Sequence, residues 1–582
     1  MEREYGRVRV NENIRYDPED PCPLPIAAGV AFQGVILILP TVVVIVVTAA
    51  LAAGEDDTYL SWAVFAALLV SGSATALQAA RLRRFGGGAV VFTCVALAYL
   101  GISVLALDAG GPALLASLTI VVAITQLSLA RWLPSLRGLI TPVVSGTTLM
   151  LIAASIMPLA FDRIDEVAPG GSAAAGPVAA AVSLGVTAVL TLLASGVWRL
   201  WTPLIGIASG SVASALFGGY DFRPVLDAAW VGVPSPDLPA LDLTLGAEFW
   251  ALVPVFVLVG LVVGIKNIGD AVVVQQVSRR RPRATDFRLV QGALNVNGLG
   301  VLAAGLVGVP PTTIMSSSST VLVGLTGVAY RRVGYLIGAF LVALAFLPKF
   351  MAFLLTVPSP VVGAYLLVLM GMLFLEGMRT VLRDGLDHRK ALVVALALSI
   401  GMGVEGRTIF RDLLGETWGR SLDSGMMSGA LVALLLTLFM EVTRRRRARL
   451  KVRLDMSALP DIDDYLDKLA LSLGWNASSA ERLRAAGEET LSSLMQPSHE
   501  PTGDTPPRLV IVARPDRGAL EMDYIVVLSE GNLEDRLAYL DERTDEPDER
   551  EISFRLLRHY ASSVRHRKFH GAEIVTVRVE AS

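Results

Sequence analysis

Apolar residues dominate the chain up to residue 443, in runs of about 20 residues separated by short polar stretches. A hydrocarbon core of about 30 Å needs about 20 apolar residues per helix, so each run predicts one transmembrane helix. The runs lie near residues 26–48, 60–80, 89–106, 112–130, 138–160, 176–197, 200–218, 249–275, 291–309, 313–328, 333–354, 359–378, 389–404 and 425–442. The pattern therefore predicts an all-α polytopic membrane protein with about fourteen spans.

Basic residues between the runs predict the orientation. If the N-terminus is cytoplasmic, the inside loops hold the arginine clusters near 81–84, 279–283, 331–332 and 379–389, whereas the outside loops hold scattered single arginines. The positive-inside rule then favours an even number of spans in the cytoplasmic membrane, with both termini in the cytoplasm.

Charged residues concentrate after the last run. The change predicts a cytoplasmic N-terminal segment (1–24), a membrane domain (25–443), a basic linker (444–458) and a small cytoplasmic α/β domain (459–582). The basic run Arg444–Arg447 directly follows the final span, which favours an anchor on the lipid surface over a nucleic-acid patch. We expect the lipid bilayer, and no nucleic acid, as a partner.

Within the C-terminal domain, apolar spacing predicts helices over 460–473, 478–495 and 552–564. Strands are predicted over 508–513, 522–528 and 572–579. The stretch Ala485–Ser493 faintly resembles the Glu-x-x-x-Asn box of the histidine-kinase-type ATPase fold, but Ser492 or Ser493 stands where the metal-holding asparagine should be. This resemblance implies a degenerate, non-catalytic module.

The composition excludes several classes of protein. Of the 582 residues, 53% are hydrophobic and 18% are charged, and the two cysteines, Cys22 and Cys94, cannot form a disulfide framework. Only one of the five histidines precedes residue 499, which excludes a histidine-rich metal site in the membrane part. No nucleophile–base set is visible there either. We expect a protein that is not an enzyme and has no cofactor.

The third and tenth spans differ from ordinary apolar helices. Gly86–Gly88 opens the third, and Pro310-Pro311 followed by polar residues opens the tenth. Non-helical backbone at membrane depth survives only where it lines a cavity or is buried in protein. Paired interrupted spans point to a substrate site at the midplane of a transporter built from inverted repeats. The alternative is that the glycines serve close helix packing and the serines cap a helix.

Several motifs occur in one order along the membrane part, and they carry a family resemblance. They are Ala31–Gly34, Ser71–Gln78, Leu139–Thr147, Ile268–Asp270, Leu325–Gly334 and Pro358–Gly363. With them the chain resembles the nucleobase–ascorbate transporter family, the uracil and xanthine permeases. The resemblance implies fourteen spans in a seven-plus-seven inverted repeat, with a core domain (spans 1–4 and 8–11) and a gate domain (spans 5–7 and 12–14). It also implies substrate between half-helices three and ten, movement of core against gate, and a homodimer.

Two positions depart from the family pattern. Where family members carry a membrane-embedded glutamate that binds the nucleobase and is tied to proton coupling, this chain has Lys266. The signature in span ten begins with Gln-Asn or Glu-Asn in the family, but with Ser318 and Ser319 here. The resemblance therefore predicts the fold more firmly than the substrate.

Lys266 lies about 20 Å of helical rise before Arg279, too deep for a lysine at the membrane interface. Asp270, at i+4, is its expected partner. Lys266 and Asp270 either form a neutralised structural pair or line a substrate site, in which Lys266 would favour an anion and could itself carry a proton.

Other polar or aromatic residues of the spans are further candidates for the substrate site. They are Gln33, Phe92, Ser316, Ser317, Ser318, Ser319 and Thr320. Phe92 could stack on a planar ligand or simply pack. For a second amide, Gln78, a bond to a neighbouring helix is the favoured interpretation.

Three functions remain open at this point. The first is secondary active transport of nucleobases of the uracil, xanthine or urate class, coupled to a proton or sodium ion. The second is transport of a small anion or carboxylate, with Lys266 as the counter-charge. The third is a substrate sensor that signals through the C-terminal domain.

Overall fold

The structure is a computed structural model of the chain. It describes residues 11, 13–82, 84–136, 141–166, 174–194, 198–218, 220, 222–234, 246–280, 286–383, 388–443, 448–495, 508–516, 519–527, 560–569 and 572–580. The chain divides into two compact units. One holds residues 11–281 and 288–441, and the other consists mainly of the chain from residue 442 onward.

The first unit consists almost entirely of helices, with two short strands. Its elements are α1 (Leu24–Ala52), α2 (Asp57–Ala79), β1 (Thr93–Val95), α3 (Leu100–Leu136), α4 (Pro142–Asp165), α5 (Ala175–Leu193), α6 (Trp198–Leu216), α7 (Arg223–Asp227), α8 (Ala247–Val277), α9 (Phe287–Leu306), β2 (Thr312–Ile314), α10 (Ser316–Thr326), α11 (Arg332–Ala345), α12 (Pro348–Leu355), α13 (Ser359–Arg383), α14 (His388–Val404), α15 (Ile409–Asp423) and α16 (Gly425–Thr443). The helical path of α3 breaks at Gly110 and Gly111, so its two halves coincide with two of the predicted runs.

These elements confirm a polytopic membrane protein. Within the described residues, eight helices are long and apolar enough to cross a membrane, or nine if α11 and α12, which bend by 84°, form one span. Every predicted apolar run coincides with a helix, a helix pair or a strand followed by a helix. Several of these helices are short or broken, and the count of fourteen spans stays a prediction.

The two interrupted spans have the non-helical starts that the sequence predicts. Strands β1 and β2 pair antiparallel, with Cys94 opposite Thr313, and each strand leads into a helix, α3 or α10. The backbone groups beside the pair are also bonded: the Met315 amide donates to the Phe92 carbonyl at 2.9 Å. Strand pairing satisfies backbone groups that a short half-helix leaves open, which is what non-helical chain at membrane depth requires.

The helices fall into two packing sets. Helix α8 packs chiefly against α3 and α10, whereas α13 packs chiefly against α4 and α5. Here α8, α3 and α10 are called the first set and α13, α4 and α5 the second; the division of the chain into a core domain and a gate domain stays a prediction. A residue on α8 and a residue on α13 that touch each other therefore join the two sets.

The second unit is an antiparallel sheet with two helices. Its elements are β3 (Ala448–Arg453), α17 (Leu459–Ser472), α18 (Ala477–Met495), β4 (Arg508–Asp516), β5 (Ala519–Val527), β6 (Ser563–Phe569) and β7 (Ala572–Glu580). The strand order is β3-β4-β5-β7-β6. Apolar side chains of both helices, Leu466 and Leu483 among them, form one buried cluster with strand residues such as Ile511 and Val577.

Two boundaries in this unit differ from the sequence prediction. Residues 448–453, which fall in the predicted linker, form the edge strand β3, because Leu450 and Val452 alternate with charged residues on a period of two. Ser563 and Val564, predicted as the end of a helix, lie in β6. The rest of that predicted helix, apart from residues 560–562, lies outside the described residues.

Candidate functional site

Lys266 lies two-thirds of the way along α8 and its side chain is 18% exposed. Its Nζ is 2.6 Å from Asp270 Oδ2, one helical turn later, which confirms the predicted pairing. The same Nζ is 3.1 Å from Oε1 of Glu376. The lysine is therefore held between two carboxylates.

Glu376 was not among the candidates chosen from the sequence. It lies on α13, in the other packing set, and its side chain is 40% exposed, the most open of the three charged groups. The sequence did contain a signal, because Glu376 is an acidic residue within the predicted apolar run 359–378, and ionisable residues inside a membrane are functional candidates by default. Its partner could not be read from the sequence, since nothing there brings α13 against α8.

Ser316 extends this cluster to α10. Its Oγ donates to Asp270 Oδ1 at 2.6 Å, so both oxygens of Asp270 have a partner. Ser316 is the first residue of α10. The N-terminal end of a helix carries partial positive charge, which stabilises the carboxylate of Asp270 there.

Asn267, next to Lys266, fixes the strand that precedes α10. Its side chain is fully buried, and its Oδ1 accepts from Thr313 Oγ1 at 2.7 Å and from the Ile314 amide at 3.2 Å. One side chain of α8 thereby holds both a side chain and a backbone group of β2. Sequence reasoning missed this role, because an asparagine in a long apolar helix does not show which partner it meets.

Ser319 and Phe92 join the two interrupted spans. The Phe92 amide donates to Ser319 Oγ at 3.0 Å, and this hydroxyl donates to the Met315 carbonyl at 3.0 Å. The ring of Phe92 is fully buried. Both residues connect the spans to each other, and stacking of Phe92 on a ligand stays a prediction.

The remaining candidates lie on α1 and α10, which pack against each other. Ser317 is exposed and Ser318 is half-buried. Gln33 Oε1 and Thr320 Oγ1 are buried and have no hydrogen-bond partner within the described part of the chain. Gln78, in contrast, donates to Thr93 Oγ1 at 2.9 Å and to the Ala293 carbonyl at 3.0 Å, as the packing interpretation expects.

We expect Asn267→Ala to lower the stability of the protein by about 1–3 kcal/mol, because the buried Ile314 amide then loses its acceptor. Thr313→Val removes only the hydroxyl bond and leaves that amide satisfied, so its cost should be smaller, about 1 kcal/mol. Thermal unfolding of both variants in detergent measures the difference. Equal losses would show that Asn267 does not act through the backbone of β2.

Comparisons with known proteins extend these findings. A family model described as the Permease family matches residues 27–410. The chain is 28% identical to the xanthine permease XanP of Escherichia coli (strain K12) over 451 residues, which cover 74% of this chain and 95% of that protein. It is also 28% identical to the uric acid permease PucK of Bacillus subtilis (strain 168) over 430 residues, 72% of this chain and 95% of that protein.

A solved structure shares the fold. The anion transporter Slc26a9 of the mouse, in its inward-facing state, superposes with a TM-score of 0.50 and 10% sequence identity, and the match covers 74% of this chain and 71% of that chain. At this identity the likeness concerns the fold alone.

Proposed function

This chain belongs to the nucleobase–ascorbate transporter family, and on that basis we propose that it is a secondary active transporter of nucleobases of the xanthine, uric acid or uracil class. The family and the apolar helices make it a multi-pass transport protein of the cell membrane and not an enzyme. The relatives named above are permeases for xanthine and uric acid.

The observation that carries the proposal is the set of charges around Lys266. One ammonium group faces two carboxylates, at 2.6 and 3.1 Å, and both come from the protein itself. The cluster then has no surplus positive charge with which to attract an anion, since its counter-ions are already in place. This arrangement of charges argues against a small-anion transporter and favours a neutral polar substrate, such as uracil or neutral xanthine, over the urate anion.

Buried polar atoms without partners support a ligand in this region. Gln33 Oε1 on α1, Asn267 Nδ2 on α8 and Thr320 Oγ1 on α10 are all buried and unpaired within the described residues. Other buried atoms in the described chain also lack a partner, and each of them can be satisfied by a ligand, a water or an ion. Since α10 packs against both α1 and α8, the three atoms belong to one group of neighbouring helices. A ring with several N–H and C=O groups could satisfy more than one of them.

Movement of the two packing sets against each other is the proposed route of transport. Lys266 lies on α8 and Glu376 on α13, so their ion pair joins the sets across the place where the sets must separate. Coupling to a proton or a sodium ion, cytoplasmic termini and a homodimer belong to the same proposal.

Deletion of residues 450–582 tests the sensor alternative, because a pure transporter keeps flux without them.

Thermal unfolding of the purified protein with candidate ligands tests the substrate class. A specific ligand at 100 times its Kd should stabilise the protein by about 2.7 kcal/mol, because it binds only the folded state. We expect xanthine, uric acid or uracil to raise the Tm, and bicarbonate, sulfate and chloride at matched ionic strength to leave it unchanged. A shift with the inorganic anions alone would contradict the proposal.

A further inference from the structure

Resting on the function proposed above, we propose that Glu376 is a specificity-determining residue of the substrate site: its carboxylate accepts a ring N–H of the nucleobase while Lys266 donates to the neighbouring ring carbonyl. Glu376 is not part of the sequence motifs described above; it lies on α13, and its Oε1 is 3.1 Å from Lys266 Nζ on α8.

Lys266 has hydrogen-bonding capacity beyond its two ion pairs. An ammonium group has three N–H donors. Two of them are directed at Asp270 Oδ2 and Glu376 Oε1, at 2.6 and 3.1 Å. The third N–H is not needed for these two contacts and can donate to a ligand. Lys266 therefore supplies a donor beside carboxylates that supply acceptors.

The two carboxylates differ in what they can still accept. Asp270 is engaged at both oxygens, by Lys266 and by the Ser316 hydroxyl, and its side chain is 11% exposed. Glu376 contacts Lys266 through Oε1, and its side chain is 40% exposed. Ionised carboxylates have about four acceptor sites. Glu376 therefore has both the capacity and the access to receive a ligand, whereas Asp270 serves to hold Lys266.

The donor Lys266 Nζ and the acceptor Glu376 Oε1 are 3.1 Å apart, and a ligand that meets both needs an acceptor and a donor side by side. Cyclic amides and imides place a C=O next to an N–H along one edge of the ring, and the carbonyl accepts where the N–H donates. Oxopurines and oxopyrimidines carry such edges. Because Lys266 lies in one packing set and Glu376 in the other, a ring held by both would contact both sets at once.

The inference predicts a specific loss of discrimination between substrate analogues. The probes are xanthine and three of its singly N-methylated forms, 1-, 3- and 7-methylxanthine, because each methyl group removes one ring N–H. In the wild-type protein, we expect one or more of the methylxanthines to bind about 10-fold more weakly than xanthine. In Glu376→Ala, which has no acceptor, xanthine itself should bind about 10-fold more weakly and that preference over the methylated form should fall below about 3-fold.

A second variant and a matched control separate recognition from folding. Glu376→Gln keeps the shape of the side chain but loses its charge, so it should fold like wild type and lie between wild type and Glu376→Ala in discrimination. Glu405→Gln is the control, since Glu405 is a membrane-domain carboxylate that accepts from Ser155 Oγ at 2.6 Å and from the Gly425 amide at 3.0 Å. It should keep the wild-type preference among the methylxanthines.

These measurements distinguish failure of the proposed function from failure of the role assigned to Glu376. If the wild-type protein binds no nucleobase, the proposed function is wrong and this inference falls with it. If the wild type binds xanthine but the folded Glu376 variants discriminate against the same methylxanthine as strongly as wild type does, the function stands and the assignment of Glu376 is wrong.

Discussion

Lys266→Ala is expected to reduce xanthine binding and uptake about 10- to 100-fold, because it removes a charged donor from the site, and such bonds contribute about 1.5–3 kcal/mol. The same substitution leaves Asp270 and Glu376 facing each other without a cation. Removing one partner of a buried ion pair costs about 3–5 kcal/mol, so we also expect a clear drop in Tm. Ligand titration and thermal unfolding of one purified sample measure both effects.

The chain contains a matched control for this substitution. Lys468 and Asp464 on α17 form a second lysine–aspartate pair with a separation of four residues, but their side chains are 72% and 64% exposed. Exposed ion pairs contribute about 0–1 kcal/mol. Lys468→Ala should therefore leave uptake unchanged and shift the Tm only slightly. If Lys266→Ala behaves like Lys468→Ala, the pair on α8 is ordinary and the proposed site is in the wrong place.

Gly86→Ala is expected to prevent correct folding, with a loss of more than about 4 kcal/mol. A Cβ at residue 86 would lie 1.8 Å from the Ala80 carbonyl oxygen, and the backbone there has φ +98°, which side chains rarely adopt. The Gly86 amide also donates to the Gly292 carbonyl at 3.0 Å, so this turn cannot simply move away. The yield of monodisperse protein in detergent and its Tm measure the outcome.

Gly54→Ala separates the two causes of that loss. Gly54 also has positive φ, at +74°, but an added Cβ would meet no other atom within 4 Å. Its cost should be about 1–2 kcal/mol, the strain of the left-handed backbone alone. Similar losses in the two variants would mean that backbone strain, and not the close approach to Ala80, decides the role of Gly86.

Part of the site follows from local spacing in the sequence, and part depends on contacts between distant helices. The pairing of Lys266 with Asp270 followed from helical spacing, because residues i and i+4 share one face of a helix. The partners Glu376 and Ser316 come from α13 and α10, and no local spacing relates them to α8. Ser316 was nevertheless a candidate, because the polar start of a short span is itself unusual.

By itself, the sequence determined the membrane class, the positions of the helices, the two interrupted spans and the family. All of these depend on local properties: the length of apolar runs, the placement of glycine and proline, and motifs within single segments. Only the tertiary structure decided that Lys266 is balanced by two carboxylates, that β1 pairs with β2, and that Asn267 holds β2 in place. These contacts join segments far apart in the chain, and packing of whole helices against one another brings them together.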